Sequence, residues 1–324
     1  MKCLSKLLFI CLLLSSSIAI AQCPQNIGFE DGTFNGWKCY AGTIDKTNGD
    51  ITVASTTPIS GRHTIFSGDY AGVDPYGGFP VLCPNGSNYS IRLGNSESGG
   101  EAERVTYEFT VPAGSEYTLI FNYAVVLQNP SDHAAFEQPR FTVKIFDDNN
   151  MPIDCPQFDF VAASNLPGFK LSTMVDPVTR GVPASVYYKE WSKSTINLVG
   201  YAGKTIRLEF TTNDCSRGGH FGYAYIDVEQ QCGDAITGNA YCIGQPSVTL
   251  YAPAGFYTYT WYKEDDMTTP IGTGPNLTIS PAPPDGSKYA VVILPFPDQG
   301  CLNILHTVVS QINSGFTFKV ANTL

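Results

Sequence analysis

Charge is scarce in this sequence. Only 15% of its 324 residues are Asp, Glu, Lys or Arg, well short of the charge that keeps a chain from collapsing, so disorder is excluded. Basic residues are the scarcer kind, 19 against 29 acidic. A negative surface repels phosphate backbones, which removes nucleic acid from the partners to consider. Helical periodicity is missing as well, with no convincing amphipathic stretch of three turns. After the first 21 residues no apolar run approaches the length that spans a bilayer. Catalytic signatures are equally absent. There is no His-Glu-x-x-His, no phosphate-binding glycine loop, no dinucleotide fingerprint and no C-x-x-C. The segment starting at Gly94 places Ser98 where a nucleophile elbow needs its closing glycine. The four histidines, His63, His133, His220 and His306, stand far apart and show no metal-ligand spacing. His220, between Gly219 and Phe221, is expected to be packed and hydrogen-bonded.

What is present begins with an export signal. Lys2 and Lys6 precede an apolar stretch from Leu7 to Leu14, and Ala19-Ile20-Ala21 forms a cleavage pattern before Gln22. Residues 1–21 read as a secretory signal peptide rather than a membrane anchor. Its loss leaves 17 basic residues against 29 acidic, a balance of −12. Cys3 and Cys11 leave with it, and eight cysteines remain: Cys23, Cys39, Cys83, Cys155, Cys215, Cys232, Cys242 and Cys301. An even number in an oxidising compartment predicts four disulfides, although eight cysteines permit on the order of a hundred pairings.

The fold class is all-β. Alternating or β-branched runs at 104–111, 117–126, 140–146, 204–211 and 223–229 are separated by turn sequences such as Pro112-Ala113-Gly114 and Asp147-Asp148-Asn149-Asn150. Residues 22–232 are therefore expected to form an antiparallel jelly-roll β-sandwich. A smaller immunoglobulin-like sandwich is expected over 236–311, with Trp261 in its core, flanked by Leu250 and Val291. The core pin would be apolar, and Cys242 would pair with Cys301 from flanking positions. The tail, 312–324, carries no recognisable sorting domain, and the chain reads equally as complete or as a fragment of something longer.

The most specific local pattern is Asn26-Ile27-Gly28-Phe29-Glu30-Asp31-Gly32-Thr33-Phe34-Asn35-Gly36-Trp37, answered near the end of the first domain by Ala224-Tyr225-Ile226-Asp227-Val228. It resembles the entry and exit strands of jelly-roll carbohydrate-binding modules of the galactose-binding-like type. The resemblance implies that first and last strands pair and that Glu30 and Asp227 hold a structural calcium, with Asp31 a weaker ligand. A hard cation takes several oxygens, which these residues supply; the alternative is that they are solvated edge carboxylates. The same pairing implies Cys23–Cys232 at one end of the sandwich, leaving Cys39–Cys83 and Cys155–Cys215. A second resemblance rests on segments 89–95, 137–141 and 213–225. They look like a domain near the N-terminus of large secreted surface proteins of gliding bacteria, often followed by PKD-like or immunoglobulin-like repeats. It implies an extracellular, adhesin-like setting and assigns no catalytic residue.

Sugar binding needs aromatic faces that stack on pyranose rings beside amide and carboxylate groups. The glycine-rich run 69–79 carries Tyr70, Tyr76 and Phe79 and reads as a loop, so Trp37, Tyr76 and Phe79 are the expected ligand contacts. The cluster Tyr187-Tyr188-Lys189-Glu190-Trp191 is expected to pack within a strand. Taken together, these features predict a non-catalytic secreted or cell-surface protein that binds a glycan or surface polymer. The rivals are a structural presenter that docks protein partners, with its loop aromatics buried, and a glycan hydrolase with two facing carboxylates.

Overall fold

The computed structural model describes residues 24–70, 72–112, 117–153, 158–174, 184–229, 235–297 and 302–312. The signal-peptide segment 1–21, Cys23, Cys155, Cys232, Cys301 and residues 313–324 lie outside the described residues. The chain is all-β. Among the described residues the helical structure is one 3-10 turn, Ala135–Glu137, and no helix is long and apolar enough to cross a membrane.

Twelve strands are described up to residue 228: β1 (Trp37–Ile44), β2 (Ile51–Thr56), β3 (His63–Ser67), β4 (Tyr89–Leu93), β5 (Glu101–Thr110), β6 (Thr118–Asn129), β7 (Arg140–Phe146), β8 (Phe158–Val161), β9 (Lys170–Leu171), β10 (Ser185–Asn197), β11 (Thr205–Asn213) and β12 (Gly222–Val228). They form two six-stranded antiparallel sheets, ordered β2-β1-β5-β11-β7-β8 and β3-β4-β12-β6-β10-β9. The two faces of each strand are set by residue alternation. Val105, Tyr107 and Phe109 of β5, Phe141, Val143 and Ile145 of β7, and Ile206, Leu208 and Phe210 of β11 enter the core between the sheets. From the second sheet Leu119, Phe121, Tyr123, Val125 and Leu127 of β6 meet them. Each such side chain contributes roughly 1.5–3 kcal/mol by leaving water.

The second sheet is buried on its outer face too. Every residue of β12 is buried. Ala224, Ile226 and Val228 face the inter-sheet core, whereas Tyr223 and Tyr225 join Ala124, Val126, Phe79 and Val81 in a separate cluster. The long connection between β3 and β4 supplies the cover. Its buried Asp74 accepts hydrogen bonds from Tyr223 Oη at 2.7 Å and Tyr225 Oη at 3.0 Å, and takes the backbone N–H groups of Tyr76 and Gly77 on Oδ1.

Residues 235–312 add β13 (Ala240–Cys242), β14 (Val248–Tyr251), β15 (Thr258–Lys263), β16 (Gly272–Thr273), β17 (Asn276–Ile279), β18 (Lys288–Leu294), β19 (Asn303–Val308) and β20 (Ser310–Ile312). β14 pairs with β17, β16-β15-β18-β19 form a four-stranded sheet, and β13 runs parallel to β20. The longer strands of this unit are thus divided between a two-stranded and a four-stranded sheet. Trp261, Leu250 and Val291 are fully buried in one cluster, so the pin between the sheets is apolar. Trp261 Nε1 donates to Gly274 O at 2.9 Å, which satisfies its one polar group. This unit rests on the first. Ile120 of β6 belongs to its core cluster, and buried Asn303 donates to Thr195 Oγ1 at 2.9 Å.

The cysteines depart from expectation. Cys39, Cys83, Cys215 and Cys242 are free thiols. The Cys39–Cys83 bridge is not formed because the second sheet separates the two residues. Cys39 faces the inter-sheet core, whereas Cys83 sits on the outer side, its backbone N–H held by Ser90 Oγ. Cys215 and Cys242 are likewise unbridged. Their expected partners, Cys155 and Cys301, and the Cys23–Cys232 pair lie outside the described residues.

Candidate metal and ligand site

Two tight turns bring the chain into β1 and aim Glu30. The N–H of Phe29 donates to Asn26 O and that of Gly32 to Phe29 O. Asn26 and Phe29 both adopt left-handed backbone, with φ of 54° and 63°. A bulky residue keeps that conformation only where its surroundings over-determine it. Phe29 is fully buried and stacks on Trp37 at 4.7 Å between centroids. Asn26 Nδ2 donates to Thr33 O and Asn35 O. Anchored this way, the next residue, Glu30, reaches the loop before β4. Its carboxylate accepts from Ser87 Oγ and from Asn88 N.

Asp227 arrives at the same place from β12, on the outer face that carries Tyr223 and Tyr225. Its Oδ2 accepts from Asn85 Nδ2 at 2.7 Å. Its Oδ1 is buried with no hydrogen-bond partner among the described residues. Burial pushes this carboxyl up to about 8, and the charges of Glu30 and Glu229 push the same way, against the Asn85 hydrogen bond. A cavity of about 330 Å³ opens beside it, lined by Glu30, Asn85, Gly86, Ser87, Asn88, Val228 and Glu229. Glu229 is paired with Lys193 Nζ at 2.6 Å and takes Asn122 Nδ2.

Glu30 and Asp227 both reach the 85–88 loop, Asp227 through Asn85 and Glu30 through Ser87 and Asn88. Asp31 is not part of the group. It turns to solvent and caps its own loop, accepting from Thr33 N, Thr33 Oγ1 and Asn35 Nδ2. Those bonds, that from the Thr33 hydroxyl foremost, hold its carboxyl below the usual range.

The expected aromatic platform is not assembled. Trp37 is 6% exposed within the inter-sheet core and Phe79, in the β3–β4 connection, is 5% exposed. Tyr76 lies over Phe221 at 5.2 Å. Trp37 belongs to one cluster and the other two to another, with the second sheet between them. Tyr76 and Phe79 are turned inward because the outer face of β12 is itself aromatic and needs a cover, while Tyr70 stays 53% exposed.

A different aromatic cleft is present. About 340 Å³ in volume, it is lined by Trp191, Ser192 and Lys193 of β10, Cys83, Pro84 and Asn85, Asn122 of β6, and Ala254, Gly255 and Phe296 of the second unit. A β-bulge shifts the β10 register between Lys189 and Ser192, and such bulges re-aim side chains. Trp191 is half-buried. Its Nε1 donates to Pro80 O at 2.7 Å, and its ring sits 6.1 Å from Tyr225. Phe296 is 45% exposed and packs on Tyr257 at 5.5 Å. Asn85 belongs to both the cleft and the Asp227 cavity. Trp191 lies within β10, as its run predicts, but the cleft has no local signature. Its signal is non-local, since five separate segments build the cleft.

No protein family matches the sequence, and no curated protein does. Among solved structures, TmCBM61 in complex with beta-1,4-galactotriose aligns with 64% of this chain and 97% of its own, at 9% identity and a TM-score of 0.33. The glycoside hydrolase domain of Endo-D from Streptococcus pneumoniae R6 aligns with 69% of this chain and 34% of its own, at 9% identity and a TM-score of 0.22. The adhesin domain of Epf from Streptococcus pyogenes aligns with 85% and 97%, at 9% identity and a TM-score of 0.21. Likeness at this level carries no argument about what the present chain binds.

Proposed function

We propose that this chain is a non-catalytic, exported glycan-binding module of an adhesin-like protein, its ligand held in the Trp191–Phe296 cleft and its binding loop ordered by a calcium ion. The observation that carries the reading is the composition of that cleft. Two aromatic rings stand beside two amides, a hydroxyl and a lysine, and a sugar needs that mixture of apolar faces and hydrogen-bond partners. The calcium part rests on Asp227, whose buried Oδ1 has no hydrogen-bond partner among the described residues, and on Glu30, which reaches the same 85–88 loop. Oxygen donors of this kind suit a hard divalent cation. An ion there would neutralise both carboxylates and fix the 85–88 loop, and with it Asn85 at the edge of the cleft.

The test is a glycan array probed with the full chain, in calcium and in chelator, beside Trp191→Ala. Binding of a defined glycan class is expected, lost in Trp191→Ala, weakened by chelation, with the glycan recovered uncleaved. Absence of binding to any glycan in either condition refutes the reading. Cleavage of a bound glycan replaces it with the hydrolase. One observation favours a second reading. The inward packing of Tyr76 and Phe79 is what a presenter of protein partners would show, and that reading remains if the array is blank.

A further inference from the structure

Two loops at the other end of β12 bring together residues that show no relation in sequence. His133 lies in the connection between β6 and β7, and Cys215 and His220 lie in the connection between β11 and β12. One potential ligand atom from each of the three falls within 4.8 Å of the others. The His133 side chain is 3% exposed and its Nδ1 is bonded to Asp132 Oδ1 at 2.9 Å. That contact leaves Nε2 aimed inward, buried and with no hydrogen-bond partner among the described residues. Cys215 is fully buried, and His220 nearly so. His220 Nδ1 stands 3.4 Å from Cys215 Sγ, and the two imidazole rings meet edge to face at 5.0 Å.

From this geometry we infer that His133, Cys215 and His220 form a binding site for one zinc ion, separate from the Glu30–Asp227 group. Zinc takes imidazole nitrogen at about 2.0–2.1 Å and thiolate sulfur at about 2.3 Å, so the nitrogen–sulfur edge of its tetrahedron is roughly 3.5 Å. The Cys215–His220 separation already matches that edge. The sulfur-and-imidazole donor set disfavours calcium and magnesium.

The surroundings fit as well. An acid on the distal nitrogen of a histidine fixes its tautomer and raises its strength as a ligand. Asp132 does this for His133. The N–H groups of Gly219 and His220 donate to Cys215 Sγ at 3.2 and 3.3 Å. Arg217 ties the two loops together through Glu137 at 2.6 Å and Asp132 at 3.4 Å. His133 also lines an open groove of about 620 Å³, which gives an ion its route in. A fully enclosed sulfur offers no approach for a substrate chain, so the cluster is read as an ion site and not as a nucleophile. Zinc binding releases the Cys215 proton and leaves three protein ligands with a fourth position for water.

The experiment uses the full chain, reduced and freed of metal, with zinc and then cobalt(II) as probes. One zinc retained per chain is expected, and cobalt should show a thiolate-to-metal charge-transfer band. His133→Gln, on a loop, should lose the zinc while its melting temperature in chelator stays unchanged. Asp132→Asn should weaken zinc binding by about 10- to 100-fold, because it acts only through His133. Asp227→Asn should leave zinc stoichiometry untouched. The proposal is overturned if reduced protein retains no zinc, if copper binds and zinc does not, if His133→Gln binds as the wild type does, or if Cys215 is found in a disulfide.

Discussion

In the metal-free protein, stability should fall as pH rises, with Asp227 as the source. In the metal-free fold, burial holds the Asp227 carboxyl up to about 8, against an ordinary value of 3.8. The unfolded chain ionises it near the ordinary value. Between the two values the folded state therefore carries the extra proton, and stability is lost as pH climbs. The contribution is fully present below pH 3.8 and gone above about 8. At about 1.4 kcal/mol for each pH unit, the full span is on the order of 5 kcal/mol. That is comparable to the whole stability of a modest domain. Bound calcium selects the ionised carboxylate and should flatten or reverse the slope.

The assay is urea unfolding followed by tryptophan fluorescence at several pH values from about 5 to 8, in chelator and in excess calcium. Buried Glu103, raised to about 7, and buried Asp214, also raised, act in the same direction. They are present in both arms, and protein stripped of all metal beforehand is used in both, so the difference between the arms reports Asp227. Asp227→Asn should reduce the slope in chelator and abolish the response to calcium. Superimposable profiles in chelator and calcium would refute the reasoning, as would a calcium response that survives Asp227→Asn.

Two further outcomes follow from the packing. Burial pushes the Cys39 thiol up to about 11 and the Cys83 thiol further. Both should resist alkylation in the native protein near neutral pH and react on unfolding. A mass two hydrogens short, with the two joined in one peptide, would contradict the free thiols. Trp261→Ala removes the largest fully buried side chain among the described residues and the Gly274 hydrogen bond together. A loss of roughly 3–5 kcal/mol is expected in the unfolding transition of the 235–312 unit. A change below about 1 kcal/mol would show that Trp261 is not the centre of that core.

What could be read from sequence follows strand periodicity and local spacing. The runs at 104–111, 140–146 and 204–211 alternate, and β5, β7 and β11 bury the residues that alternation selects. Leu250, Trp261 and Val291, expected together from their spacing, share one buried cluster. Glu30 and Asp227 were legible because they open and close one sandwich. The run 69–79 reads from its glycines as an exposed loop, whereas Tyr76 and Phe79 pack against the sheet. The correction was already written in β12, where Tyr223, Tyr225 and Asp227 alternate with Ala224, Ile226 and Val228. A strand with large apolar rings on one face and aliphatics on the other has no wet side, so some other segment must cover it, and the nearest aromatic-rich loop is the cover. The Trp191 cleft and the His133–Cys215–His220 cluster had no such signal. Each is assembled where loops from different strands meet, and that meeting is fixed by sheet order, which no local period records.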